Sequence, residues 1–267
     1  MSIKLFDSHA HYFDKRFDEA GGADNVLQND VWGKNVVGVI NVGTNNRNSL
    51  YCIEQAARYE DMYAAVGIHP EDVAYCRGNV SDEVDTLKGI IGDSENRKSK
   101  KIVALGEIGL DYHYEGFDKE LQMKYFDAQM ELALELDMPV IIHDREAHGD
   151  CFECVLRHKG VRGVFHSYSG SAEMAAELIR RGWYISFSGV VTFKNASRVR
   201  DVVASVPTER ILIETDAPYL APHPYRGRIN HSGLIEYTAA AIAEIKGTDI
   251  EKIAEATYNN TRGLFGI

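Results

Sequence analysis

The chain is poor in cysteine, with four in 267 residues, too few and too scattered for a disulfide scaffold. Only Cys151 and Cys154 are closely spaced, and no second pair completes a zinc site around them, so they read as packing or free thiols on a helix expected over Glu146–His158. No apolar run is long enough to span a bilayer and no charged-then-apolar leader opens the chain, which points to a cytoplasmic protein with no membrane partner. Positive charge is in deficit: 29 basic residues against 40 acidic leave a net charge of −11. This argues against a broad nucleic-acid sleeve, and any phosphate the protein binds needs local help. No phosphate-cradling glycine fingerprint follows the first strand, where a dinucleotide fold would need one. Low-complexity segments and linkers are lacking as well, so residues 1–267 read as one domain.

What is present is alternation. Apolar, β-rich runs occur at Ile3–Phe6, Val36–Val42, Met62–Val66, Ile102–Leu105, Pro139–Ile142, Gly163–Phe165, Trp183–Phe187 and Ile211–Ile213. Helical spacing lies between them, as in Lys119–Leu136 and Ala172–Arg181, and two last helices follow near His231–Lys246 and Asp249–Leu264. Thr248 and Glu251 have the spacing of a capping box for the second of these. Strand–helix alternation implies a parallel sheet, and eight such units in a chain of this length predict an α/β (β/α)8 TIM barrel, with an open doubly wound sheet as the alternative.

A barrel places catalytic groups where strands end. Asp7, His9 and His11 follow the first strand, and their spacing of two would aim both imidazoles at one point if the extended geometry continues. His69 follows the third, Glu107 and Asp111 the fourth, His143 and Arg145 the fifth, His166 the sixth, and Glu214 and Asp216 the eighth. One histidine behind a strand is usually structural. Four histidines (His9, His11, His143, His166) and two carboxylates (Glu107, Asp216) at the ends of five strands form a set suited to Zn²⁺, Mn²⁺, Fe²⁺ or Mg²⁺. Six ligands are too many for a single catalytic ion that keeps an open position, so two divalent ions are implied, with Glu107 as the natural bridge.

The segments "DSHAH", "VGIHPE", "GEIGLDY", "HDR", "FHSYSG", "GWYISFSGVVTFKNA", "ILIETDAPYLAP" and "PYRGRIN" occur in the order seen in the TatD family of metal-dependent deoxyribonucleases, which the chain resembles over essentially its full length. The resemblance implies an amidohydrolase-like TIM barrel with His9, His11, Glu107 and Asp216 on one metal and Glu107, His143 and His166 on the other. It implies, too, that His69 lies in the pocket and that Arg145 and Arg226 approach substrate phosphate. Two departures touch the pocket rim: Glu71 stands where family members often have a histidine, and His231-Ser232 where they often have an acidic residue and a proline.

The expected activity is hydrolysis of DNA phosphodiesters, acting on single-stranded ends as an exonuclease, with a metal-activated water as nucleophile, Asp216 receiving its proton, and no obligate protein partner. Asp7 and Asp111 are expected to orient ligating imidazoles. The rival is a carbonyl hydrolase, such as an amidohydrolase, a lactonase or a D-aminoacyl-tRNA deacylase, because the same metals polarise C=O. A dead-barrel scaffold would have lost ligands, and none is missing. The basic run Arg97–Lys101 precedes the fourth strand and reads as a solvated charge run remote from the chemistry. His113, His148, His158 and His223 have no partner motif and read as surface or loop residues.

Overall fold

A computed structural model describes residues 3–76 and 78–267. Its strands are β1 (Leu5–Ala10), β2 (Val36–Val42), β3 (Met62–Val66), β4 (Ile102–Asp111), β5 (Val140–Arg145), β6 (Gly163–Phe165), β7 (Tyr184–Phe187) and β8 (Ile211–Ile213), ordered as in the chain. The helices are α1 (Ala23–Val26), α2 (Asn46–Arg58), α3 (Val80–Ile91), α4 (Ser94–Ser99), α5 (Lys119–Glu135), α6 (His148–Arg157), α7 (Ala172–Arg180), α8 (Ser197–Ser205), α9 (Ile235–Lys246) and α10 (Ile250–Phe265). This is the (β/α)8 barrel class that the alternation predicts. Among the described residues no helix is long and apolar enough to cross a membrane.

The chain divides into two compact units. One comprises Met1–Asn41 with His166–Ile267. In it β1 pairs parallel to β2, β7 pairs parallel to β8, and β1 meets the end of β8 through an Ala10–Ala217 bridge. The other, Val42–Phe165, contains β3 to β6, paired in order and all parallel. Val39, Ile40, Ile211 and Leu212 are fully buried in the first, and Ala65, Leu105, Ile141 and Ile142 in the second. Each such Val, Leu or Ile contributes about 1.5–3 kcal/mol by leaving water.

Three strands run further than their apolar cores. β1 continues to Ala10, β4 to Asp111 and β5 to Arg145, so Asp7, His9, Glu107, Asp111 and His143 lie within strands rather than in the loops after them. The extension of β4 is held by the register Gly109↔His143 and Asp111↔Arg145.

Two local expectations are corrected. α10 is capped at Asp249, without a side-chain hydrogen bond, so Thr248 and Glu251 do not form the capping box. The basic run is not simply solvated either. Arg97 donates to the Leu136 carbonyl at the end of α5 (2.9 Å), and Lys100 to the Ile90 carbonyl at the end of α3 (2.7 Å). Lys101 donates to the carbonyls of Ala56, Tyr59 and Glu60 at the end of α2 (3.2, 2.8 and 2.9 Å). The last carbonyls of a helix lack partners and carry partial negative charge, and cations there satisfy both needs.

Candidate metal centre

In the unit of Met1–Asn41 with His166–Ile267, residues spaced by two on β1 face the same way, and the imidazoles of His9 and His11 meet with their Nε2 atoms 3.0 Å apart. Asp216 follows β8 and is fastened to β1 by its backbone N–H on the His9 carbonyl (2.9 Å). Its Oδ1 stands 3.4 Å from His11 Nε2 and 3.7 Å from His9 Nε2. Burial pushes the Asp216 carboxyl up, but the His11 hydrogen bond and the charges of His11, His9 and His166 outweigh it and hold the group below the usual carboxylate range. His166 stacks on His9, centroids 4.1 Å apart, and its Nδ1 meets Glu214 Oε1 at 3.2 Å. That oxygen also accepts the Ser167 N–H at 2.7 Å. Glu214 is fully buried, and its Oε2 has no hydrogen-bond partner among the described residues. A buried polar oxygen without a partner is costly, and His9, His166 and Glu214 offer donor atoms close enough to share an ion.

Asp7 does not do what its position suggests. Its carboxylate accepts the His9 N–H (3.2 Å), the Thr215 N–H (2.9 Å) and the Thr215 hydroxyl (2.5 Å), so it ties the backbone of β1 to the residues after β8 rather than orienting an imidazole. Complete burial lifts its carboxyl to about 7 against those bonds.

In the unit Val42–Phe165, Glu107 and Asp111 share a face of β4, and His143 enters from β5 opposite Gly109, midway between them. Its Nδ1 lies 2.7 Å from Glu107 Oε1 and its Nε2 2.9 Å from Asp111 Oδ2. Asp111 thus orients this imidazole as expected. Burial raises its carboxyl, yet the His143 hydrogen bond and charge, the His113 N–H and Arg145 bring it below its usual value. Gln122 of α5 fixes the site from behind, accepting the Asp111 N–H (3.0 Å) and donating to the Asp111 carbonyl (2.9 Å).

His69 Nε2 is 3.6 Å from Glu107 Oε1, and the ring packs edge-on against His143. Its Nδ1 accepts the Glu71 N–H at 3.1 Å. Neutral imidazole with Nδ1 so engaged carries its proton on Nε2, which makes His69 a donor in this state. Arg145 reaches within 4.0 Å of Asp111, donates to the Tyr114 hydroxyl and lies over that ring, still 42% exposed. In the other unit Arg226 stacks on Phe193 and is exposed.

The structure therefore groups His9, His11, His166 and Asp216 in one unit, and His69, Glu107 and His143 in the other. Sequence reasoning offered Glu214 as a strand-end carboxylate but left it out of the ligand set, and it missed Gln122, whose helix position carries no signal. His158 lies just past the end of α6, outside regular structure as read, but it is part-buried and has partners in Cys154 and Asp127. His148 binds Asp144 and His113 pairs with Glu146 at the surface.

A family model described as TatD related DNase matches residues 6–266. The chain is 37% identical over 267 residues to the uncharacterized metal-dependent hydrolase YabD of Bacillus subtilis, covering 98% of this chain and 99% of that one. It is 34% identical to the uncharacterized metal-dependent hydrolase YcfH of Escherichia coli K12, covering 98% and 96%. The crystal structure of the Escherichia coli TatD homolog YjjV superimposes with a TM-score of 0.89 at 30% identity, over all of both chains. With its motifs, its fold and its clustered imidazoles and carboxylates all in agreement, this chain belongs to the TatD family of metal-dependent hydrolases.

Proposed function

We propose that the protein hydrolyses phosphodiester bonds of DNA, working from single-stranded ends. The observation that carries the metal dependence is the meeting of His9 Nε2 and His11 Nε2 at 3.0 Å before the ionised Asp216. Buried imidazoles and carboxylates crowded in this way fit divalent cations by donor chemistry. The unpartnered Glu214 Oε2 fits the same reading.

The ligand division follows the family resemblance: His9, His11, Glu107 and Asp216 would hold one ion, and Glu107, His143 and His166 the other. Bound divalent cations would supply Lewis acidity toward phosphoryl oxygens and acidify water near neutral pH. The chain's own groups do the rest. Asp216, ionised at neutral pH, accepts the proton of the attacking water. Asp111 keeps the His143 ring in one orientation. His69 presents an N–H to substrate oxygens, and Arg145 and Arg226 pair with phosphate. The family description as a DNase and the two accessible guanidiniums favour a phosphodiester over a carbonyl substrate.

The test sets a linear single-stranded oligonucleotide against a covalently closed circle of the same sequence, with metal supplied and then chelated, beside an ester and amide panel. Chelator-sensitive release of nucleotides from the linear strand alone is the expected result. Equal rates on the circle would remove end-dependence. Brisk ester or amide hydrolysis without nucleotide release would move the assignment to a carbonyl hydrolase.

A further inference from the structure

A second set of donor atoms lies on α5 and α6. Cys154 is fully buried, and its Sγ stands 3.3 Å from Asp127 Oδ1 and 3.6 Å from His158 Nδ1. His158 Nε2 is 3.8 Å from the same carboxylate oxygen. One donor atom from each residue lies within 4.8 Å of the other two. Cys154 and His158 are four residues apart at the end of α6 and so share a face, while Asp127 comes across from α5.

Zinc bonds of roughly 2.0–2.3 Å place tetrahedral donors roughly 3.3–3.6 Å apart. The carboxylate–thiol separation already has that length. His158 supplies one nitrogen: its Nδ1 donates to the Cys154 carbonyl at 2.9 Å, which leaves Nε2, 3.8 Å from the carboxylate and in need of a slight closure, as the ligand atom. Thiol, imidazole and carboxylate together suit a borderline-soft ion better than Mg²⁺ or Ca²⁺, which take oxygen ligands. We infer that Asp127, Cys154 and His158 form a zinc-class cation site that braces α5 against α6, with water in the fourth position. Loading forms the metal–sulfur bond and releases the Cys154 thiol proton to solvent. Burial and the Asp127 charge push this thiol up, so the empty site holds it protonated.

The site has a built-in competitor. Arg157 Nη2 donates to Asp127 Oδ1 at 2.7 Å, and its side chain is 48% exposed, free to swing into water when a cation takes that oxygen. Removing the guanidinium should therefore tighten the site, a response that a merely packed thiol would not give.

The experiment titrates the whole protein with Co²⁺ in excess Mg²⁺ and reads the thiolate-to-cobalt charge-transfer absorption. The strand-end clusters contain no sulfur, so they cannot produce it, and the readout is independent of any hydrolytic activity. The wild type should develop the band. Cys154→Ser should abolish it, His158→Ala should weaken binding by at least about tenfold, and Cys151→Ser should leave it unchanged. Arg157→Gln should bring the midpoint to lower Co²⁺. No band in the wild type, or one that survives Cys154→Ser, overturns the site. Should Cys154→Ser fail to fold, an unmoved midpoint in Arg157→Gln overturns it instead.

Discussion

Lys101 shows how one side chain can serve the end of a helix other than its own. Its ammonium donates to three carbonyls at the end of α2, and its backbone takes φ 53°, in the left-handed region. Hydrogen bonds to charged groups contribute about 1.5–3 kcal/mol, less where water competes, and Lys98 beside it is exposed and makes no side-chain bond among the described residues. Lys101→Met, which keeps the length and the backbone demand, should therefore lower stability by about 1–2 kcal/mol, or several degrees in Tm. Lys98→Ala should leave Tm within a degree or so, as surface changes away from such features do. Thermal unfolding of the two variants decides it, and equal Tm values would mean that the carbonyl contacts contribute nothing.

Among elements, the β4–β5 pair does most to shape the candidate centre. Gly109 has φ 142°, and a Cβ there would stand 2.0 Å from the His143 carbonyl oxygen, so only glycine lets β5 pass close enough for its imidazole to sit between Glu107 and Asp111. From sequence, the glycines around Glu107 looked like the end of a strand. β3, β6 and β8 were legible to the residue because they are short apolar runs, and β2 because β-branched Val and Ile dominate it despite Gly38 and Asn41. β1, β4 and β5 overran their expected ends because polar residues inside them are held by partners distant in sequence, as Asp7 is by Thr215. Period two was enough to bring His9 and His11 together. The tasks of Glu214, Gln122 and the Arg97–Lys101 run rest on contacts between elements that no local pattern encodes.

The loop after β8 gives this scale its prediction. Burial holds the His231 imidazole below its usual value, with Lys34 adding to the effect and Asp30 opposing it. Above the unfolded value of about 6.5 the ring is neutral in both states and costs nothing. As pH falls below it, the unfolded chain takes up a proton that the folded one resists, and stability declines. His231→Gln should flatten the fall in stability between about pH 7 and 5.5, as followed by urea unfolding; an unchanged slope would show that the ring titrates freely in the fold.

For the molecule as a whole, a net charge of −11 limits how many phosphates can be neutralised at once. Binding of a single strand should then show a shallow salt dependence, with each phosphate contact adding about −0.7 to the slope of log K against log salt. A total near −1 to −2 is the expected result for two arginine contacts, and Arg145→Ala should remove about 0.7 of it. A slope of −5 or steeper would reveal an extended basic track.

The discontinuous unit has a consequence for how the protein is made. β1 finds β2 about thirty residues later, but its other neighbour is the segment after β8, through Ala10–Ala217 and the His9 carbonyl. At roughly 5–20 residues per second, a ribosome needs on the order of 10–40 s to deliver that segment. Through that interval the residues of β1 lack one of their two neighbours and His9 and His11 lack the Asp216 carboxylate, and by its end all of Val42–Phe165 has been made.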